Sequence, residues 1–114
     1  MNLEKQRKGN AIVITVHEAR IDAAVAIQFK DKMRDLSSEP AERVIVDMAQ
    51  VDFLDSSGLG AVVAAMKFLG GGRKLELAGL TPTVAKVFRL TRMDSVFKLH
   101  PDIEQALGLS LIHI

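Results

Sequence analysis

The chain has 114 residues, 48% of them hydrophobic and 25% charged, the proportions of one compact domain with one core. A formal net charge of +1 with scattered basic residues, and aromatics at 4% with no Trp or Tyr, argue against the basic stripes and stacking platforms of nucleic-acid binders. With no cysteine, thiol catalysis and disulfides are excluded; His17, His100 and His113 are too dispersed for a local zinc motif, so no metal or other cofactor is expected.

Met1–Val16 carries several charges and only a short apolar run before His17 and Glu18, too short for a signal-peptide core or a membrane span. A soluble, cytoplasmic chain with no membrane partner is therefore expected. Within that segment "NAIVITV" is β-branched and continuous, the pattern of a buried strand. From Asp22 the period changes: Val25, Phe29, Met33 and Leu36 recur at helical spacing, with Lys30, Asp31, Arg34 and Asp35 off the stripe. The spacing predicts an amphipathic helix with Asp22 as its N-cap. "SSEPAE" reads as a loop and "RVIVDM" as a second buried strand.

After "VDFLDSS" an apolar helix is predicted to run to "GGG", where glycine can adopt the left-handed conformation that ends helices. "RKLELAGL" reads as a third strand. Thr81 before Pro82 is the order of an N-cap and first helical residue, opening another helix. "SVFKL" reads as a short strand and "PDIEQALGL" as a last helix. Strands alternating with helices predict an α/β fold with a mostly parallel, helix-covered sheet, a single domain over residues 1–114. The apolar tail "GLSLIHI" is assigned no role.

The "DSSG" at 55–58 admits several readings. Ser56 or Ser57 can cap the helix, its oxygen accepting from an unpaired amide of the first turn. A hydrolase nucleophile is poorly supported, because Leu54 and Asp55 precede Ser56 where a G-x-S-x-G elbow needs glycine, and no histidine can be placed nearby. "GGGRK" lacks the spacing of an ATP-binding phosphate loop. A phosphate acceptor is the remaining reading: phosphoserine adds nearly two negative charges at a helix N-terminus, beside Asp55 and with Asp22 close by, and would repel a partner that accepts the unmodified acidic cluster.

At one hundred degrees per residue, Leu59, Val62, Val63, Met66 and Leu69 share the helix face expected to pack on the sheet. The opposite face carries Ser57, Gly60, Ala61, Ala64, Ala65 and Phe68, with Lys67 at its edge. So small and uncharged a face implies a cover, either a partner protein or another helix of this domain.

The run from "VIVDMAQVDFLDSSGLG" through "LELAGLTPTVAKVF" to "SVFKL", together with "ITVHEARID", resembles the STAS domain of bacterial anti-sigma factor antagonists. The resemblance spans nearly the whole chain, and "DSSGLG" after an apolar strand is its most specific part. It implies a STAS-like α/β domain, a mixed, mostly parallel sheet of four to five strands with about four helices. It also implies a non-enzymatic partner switch: the unphosphorylated protein binds an anti-sigma factor that is a serine kinase and so frees the sigma factor. Phosphorylation by that kinase ends binding and a serine phosphatase restores it. By position, the phosphoacceptor is Ser56, while Asp22, Asp55, Ser57 and Gly58 fall where the family meets its kinase; Gly60, Ala61, Ala64 and Ala65 extend that surface along the helix. Where the family often has glycine, this chain has Ala19 before the first acidic residue and Arg92 near "RLTRMDS". The competing readings are a STAS regulatory or scaffold subunit of a transporter or signalling assembly, with Ser56 only a helix cap, and an enzyme. Oligomeric state is left open.

Overall fold

A computed structural model describes residues 1–69 and 75–108. The strands are β1 (Leu3–Lys8), β2 (Ala11–Val16), β3 (Arg20–Ile21), β4 (Arg43–Asp47), β5 (Phe53–Leu54), β6 (Leu75–Ala78) and β7 (Lys98–His100). The helices are α1 (Ala26–Leu36), α2 (Ser56–Lys67), α3 (Pro82–Leu90) and α4 (Ile103–Gly108), with a 3-10 turn at Met93–Ser95. The main sheet has the order β1-β2-β4-β6-β7, antiparallel at β1 and parallel elsewhere. It agrees with the mixed, mostly parallel sheet of four to five strands with about four helices that the resemblance implied.

The alternation of side chains along each strand divides the core between the two faces. Ile12, Ile14 and Val16 with Val44, Val46, Leu75 and Leu77 are buried together with Phe29 and Met33 of α1, Ala61, Val62 and Ala65 of α2, and Val84 and Phe88 of α3. The other face buries Ala11, Ile45 and Ala78 against Ala106 of α4. Three helices on one side thus leave the short α4 to cover part of the other.

Four expectations need correction. β1 is absent from the sequence reading because "LEKQRK" is polar; it is an exposed edge strand, paired to β2 across a tight turn at Gly9, where φ is +63°. The helix α1 begins at Ala26, not Asp22: the Asp22 carboxylate accepts from the Ala24 N–H at 3.1 Å, closing a turn two residues on instead of capping the helix. "SVFKL" is a strand only from Lys98, since Met93–Ser95 coil into the 3-10 turn. Thr81 is the N-cap residue of α3 and Pro82 opens the helix as expected, but the Thr81 hydroxyl donates to the Val51 carbonyl at 2.8 Å and makes no side-chain cap. The glycine run at 70–72 and the tail beyond Gly108 lie outside the described residues.

Arg92 follows α3 with φ 61° and ψ 20°, left-handed backbone. A side chain there costs about 1 kcal/mol relative to glycine, partly offset by glycine's greater freedom when unfolded. Arg92→Gly should therefore stabilise the fold by about 0.5 kcal/mol and raise the thermal midpoint by about 2–4 °C. An unchanged or lower midpoint would contradict the assignment.

Under α4 lies a buried ionic cluster. Arg43 donates from Nε and Nη2 to the two Glu76 oxygens at 2.9 and 2.7 Å, and from Nη2 to the Ala106 carbonyl at 3.0 Å. His100 Nε2 meets Glu76 Oε1 at 2.7 Å. Burial pushes the Glu76 pKa up, but Arg43 and His100 outweigh it and hold the carboxyl below its usual 4.5. A depressed folded-state pKa gives stability that is present above about pH 4.5 and lost as pH falls through the lower folded value. Glu76→Gln should cost about 1 kcal/mol at neutral pH and flatten the acid limb of the stability curve, measured by urea unfolding between about pH 3 and 6.

Candidate functional site

The short parallel pair β3–β5 builds the site. Its register sets Arg20 against Phe53 and Ile21 against Leu54, so the next residues, Asp22 and Asp55, leave the two strands side by side. Ala19 reinforces the pairing, its carbonyl accepting from the Asp52 and Phe53 N–H groups at 2.8 and 3.2 Å.

Asp55 is the N-cap of α2, with extended backbone, and its Oδ1 accepts from the Gly58 N–H at 2.8 Å. The cap is therefore neither Ser56 nor Ser57: aspartate one residue earlier reaches the third amide of the helix, as an N-cap side chain should. Its other oxygen, Oδ2, accepts from the Ala23 N–H at 3.2 Å. One carboxylate thus holds both the helix start and the loop that carries Asp22. Asp22 is half-buried and receives the Arg20 Nε–H on Oδ2 at 3.2 Å. The Arg20 guanidinium lies over the Phe53 ring, 4.2 Å from its centroid.

Gly58 is buried where α2 meets β3. A β-carbon there would stand 1.9 Å from the Ile21 carbonyl oxygen, so only glycine allows this approach. Ser56, released from capping, is exposed at the first helical position, and its hydroxyl has no hydrogen-bond partner among the described residues. Ser57 is exposed as well.

The small face of α2 is divided. Ala61 and Ala65 are 5% and 1% exposed and join the hydrophobic core, although Ala61 also reaches the groove between α1 and α2. Phe68 is met by α1, whose Arg34 guanidinium sits 4.7 Å from its ring centroid. Leu59, Val63 and Met66 are only partly buried, while Val62 and Leu69 enter the core as expected. Gly60 remains exposed and Ala64 half-buried. With Ser57 and Ala61 and with Ala26, Ile27 and Lys30 of α1 they line an open groove of about 310 Å³. Ile27, 69% exposed, is an apolar residue off the buried stripe of α1 and was readable as such in the sequence. The Arg20–Phe53 contact had no sequence signal, since it depends on the register of two-residue strands.

The described histidines are engaged elsewhere. His17 Nε2 meets Glu4 Oε1 at 2.8 Å, a hydrogen bond that raises the His17 pKa above 6.5, and Nδ1 faces the Gln50 amide. His100 belongs to the Glu76 cluster. Among the described residues no three His, Asp or Glu side chains gather as a metal site, and no helix is long and apolar enough to cross a membrane.

The chain belongs to the STAS domain family, whose sequence model matches residues 2–106. Among its relatives is the anti-sigma-B factor antagonist of Listeria monocytogenes, 28% identical over 96 residues that cover 83% of each chain. An anti-sigma factor antagonist from Mycobacterium paratuberculosis has a similar structure, with TM-score 0.84, 22% identity, and coverage of 95% of this chain and 92% of that one. The Bacillus cell fate determinant SpoIIAA, solved in its phosphorylated form, superposes with TM-score 0.67 at 22% identity, covering 96% of this chain and 99% of that one. These last two likenesses establish the shared fold.

Proposed function

We propose that this chain is an anti-sigma factor antagonist that works by partner switching. Its unphosphorylated form binds a serine-kinase anti-sigma factor, phosphorylation of Ser56 ends the complex, and a serine phosphatase restores it. The observation that carries the reading is the exposed Ser56 hydroxyl, without a hydrogen-bond partner among the described residues, standing immediately after a capping aspartate. No described residue uses this hydroxyl, so another molecule can modify it without removing a hydrogen bond among the described residues. The similarity to the Listeria antagonist, by name a protein that opposes an anti-sigma factor, supports the same role.

The chemistry resides in the partner, which brings ATP and the kinase machinery. This chain acts as a regulatory protein and supplies an acceptor and a surface. Asp22, Asp55, Ser56, Ser57 and Gly60 form the exposed or half-buried part of that surface, Ala64 continues it along α2, and Gly58 sets its shape from below. A phosphate on Ser56 faces the amide end of α2, which tolerates anions, so the domain stays folded. It also adds nearly two charges beside Asp55 and alters what a partner meets.

The test is phosphotransfer. The purified chain is incubated with ATP and serine-kinase anti-sigma factors from the same cell, digested with trypsin, and the peptide Val44–Lys67 is fragmented. One phosphate on Ser56, lost in Ser56→Ala, is expected. Phosphate on Ser57, or no transfer from any such kinase, would overturn the reading.

A further inference from the structure

We infer that Arg20 determines which partner is accepted, by presenting its terminal N–H groups to a carboxylate on the partner's surface; this deepens the partner-switching reading and rests on it. Arginine carries five N–H donors in a planar fork suited to carboxylates. Here Nε–H is used, on Asp22 Oδ2 at 3.2 Å. The terminal groups make no hydrogen bond among the described residues. The side chain is 60% exposed, yet it is not free to wander: its guanidinium rests on the Phe53 ring at 4.2 Å while Asp22 holds its inner edge. Phe53 is itself 36% exposed, one of the few large apolar side chains at the surface. It does not fill the core and serves instead as the platform for the guanidinium.

Stability alone does not account for the arrangement. Exposed ion pairs contribute little to folding because water screens them and their side chains must be immobilised. Immobilisation before binding has a different consequence: it removes part of the ordering cost from association. The fork lies at the edge of the Asp22–Asp55 pair, so the surface is not uniformly acidic but carries one fixed cation beside two anions. A partner that meets it has cationic groups for Asp22 and Asp55 and a carboxylate for Arg20. A partner with a cation in the Arg20 position would be rejected, since like charges in an interface oppose association.

The test uses the serine-kinase anti-sigma factor that phosphorylates Ser56, with affinities and association rates measured at two salt concentrations. Arg20→Ala should weaken binding about tenfold and Arg20→Glu about a hundredfold. Arg20→Lys, which keeps the charge without the fork, should fall between wild type and Arg20→Ala. The loss in Arg20→Glu should lie partly in the association rate and shrink in high salt. Replacing one acidic residue of the kinase by arginine should restore binding of Arg20→Glu, which a purely structural role cannot produce. Thermal midpoints of the three variants should stay near wild type. Wild-type affinity in Arg20→Glu, or a loss that no charge reversal on the kinase restores, would overturn the inference while Ser56 phosphorylation continued. Failure of phosphotransfer in the wild type would instead overturn the underlying reading and the inference with it.

Discussion

Gly58→Ala should cost on the order of 3–5 kcal/mol, enough to leave little folded protein if the wild type is ordinarily stable. The added carbon would meet the Ile21 carbonyl oxygen at 1.9 Å, its carbon at 2.8 Å and Leu54 Cδ1 at 2.9 Å. Two of these atoms are backbone, so no rotamer change relieves the clash. Either α2 moves away from β3 or the two-residue strands separate. Both movements pull the Asp55 carboxylate, which travels with α2, away from the Ala23 N–H beyond β3. The loss of packing and the loss of this bridge therefore arrive together. Gly60→Ala is the matched control: no atom lies within 4 Å of its added carbon, and alanine is the better helix former, so stability should rise by about 0.5–1 kcal/mol. Urea unfolding should show opposite shifts in midpoint at constant slope. A Gly58→Ala protein within about 1 kcal/mol of wild type would mean that α2 and β3 do not approach as described.

The same residues explain what could be read from the sequence. Continuous β-branched runs such as Ala11–Val16 and Arg43–Asp47 are buried on both faces, which gives an unambiguous strand signal. β1 is buried on neither face beyond Leu3 and has only a backbone ladder to define it; the Gly9–Asn10 turn was its one available mark. At the site, residue types were legible and their division of labour was not. Aspartate and serine are comparable N-caps, so "DSSG" alone did not decide that Asp55 caps and Ser56 is free. Likewise Ala61 and Ala64 look alike on a helical wheel and both reach the groove, but Ala61 is buried at its floor and Ala64 is only half-buried.

Ser56→Asp should lower affinity for the kinase partner about a hundredfold, while Ser56→Ala should bind as wild type and resist switching off. The contrast follows from where the hydroxyl stands. Removing it breaks no hydrogen bond among the described residues, so alanine alters neither the surface charge nor the Asp55 bridge. Aspartate places a third carboxylate next to Asp55 and near Asp22. Two unit charges about 4 Å apart interact by about 1 kcal/mol in water and about 4 kcal/mol at an effective dielectric of 20. A closing interface moves the site from the first condition towards the second, so the repulsion grows on binding. The free protein scarcely feels it, because an acidic residue in the first turn gains about 0.3–1 kcal/mol from the helix dipole. Unfolding midpoints of both variants should therefore lie close to wild type even as their affinities separate. Calorimetric titration against the kinase, paired with thermal unfolding, distinguishes the outcomes. Equal affinities for the two variants would exclude charge at Ser56 as the switch. Unequal affinities accompanied by a large fall in the midpoint of Ser56→Asp would instead assign the effect to damage of the α2 start, since a charge that acts only when a partner closes over it leaves the isolated fold intact.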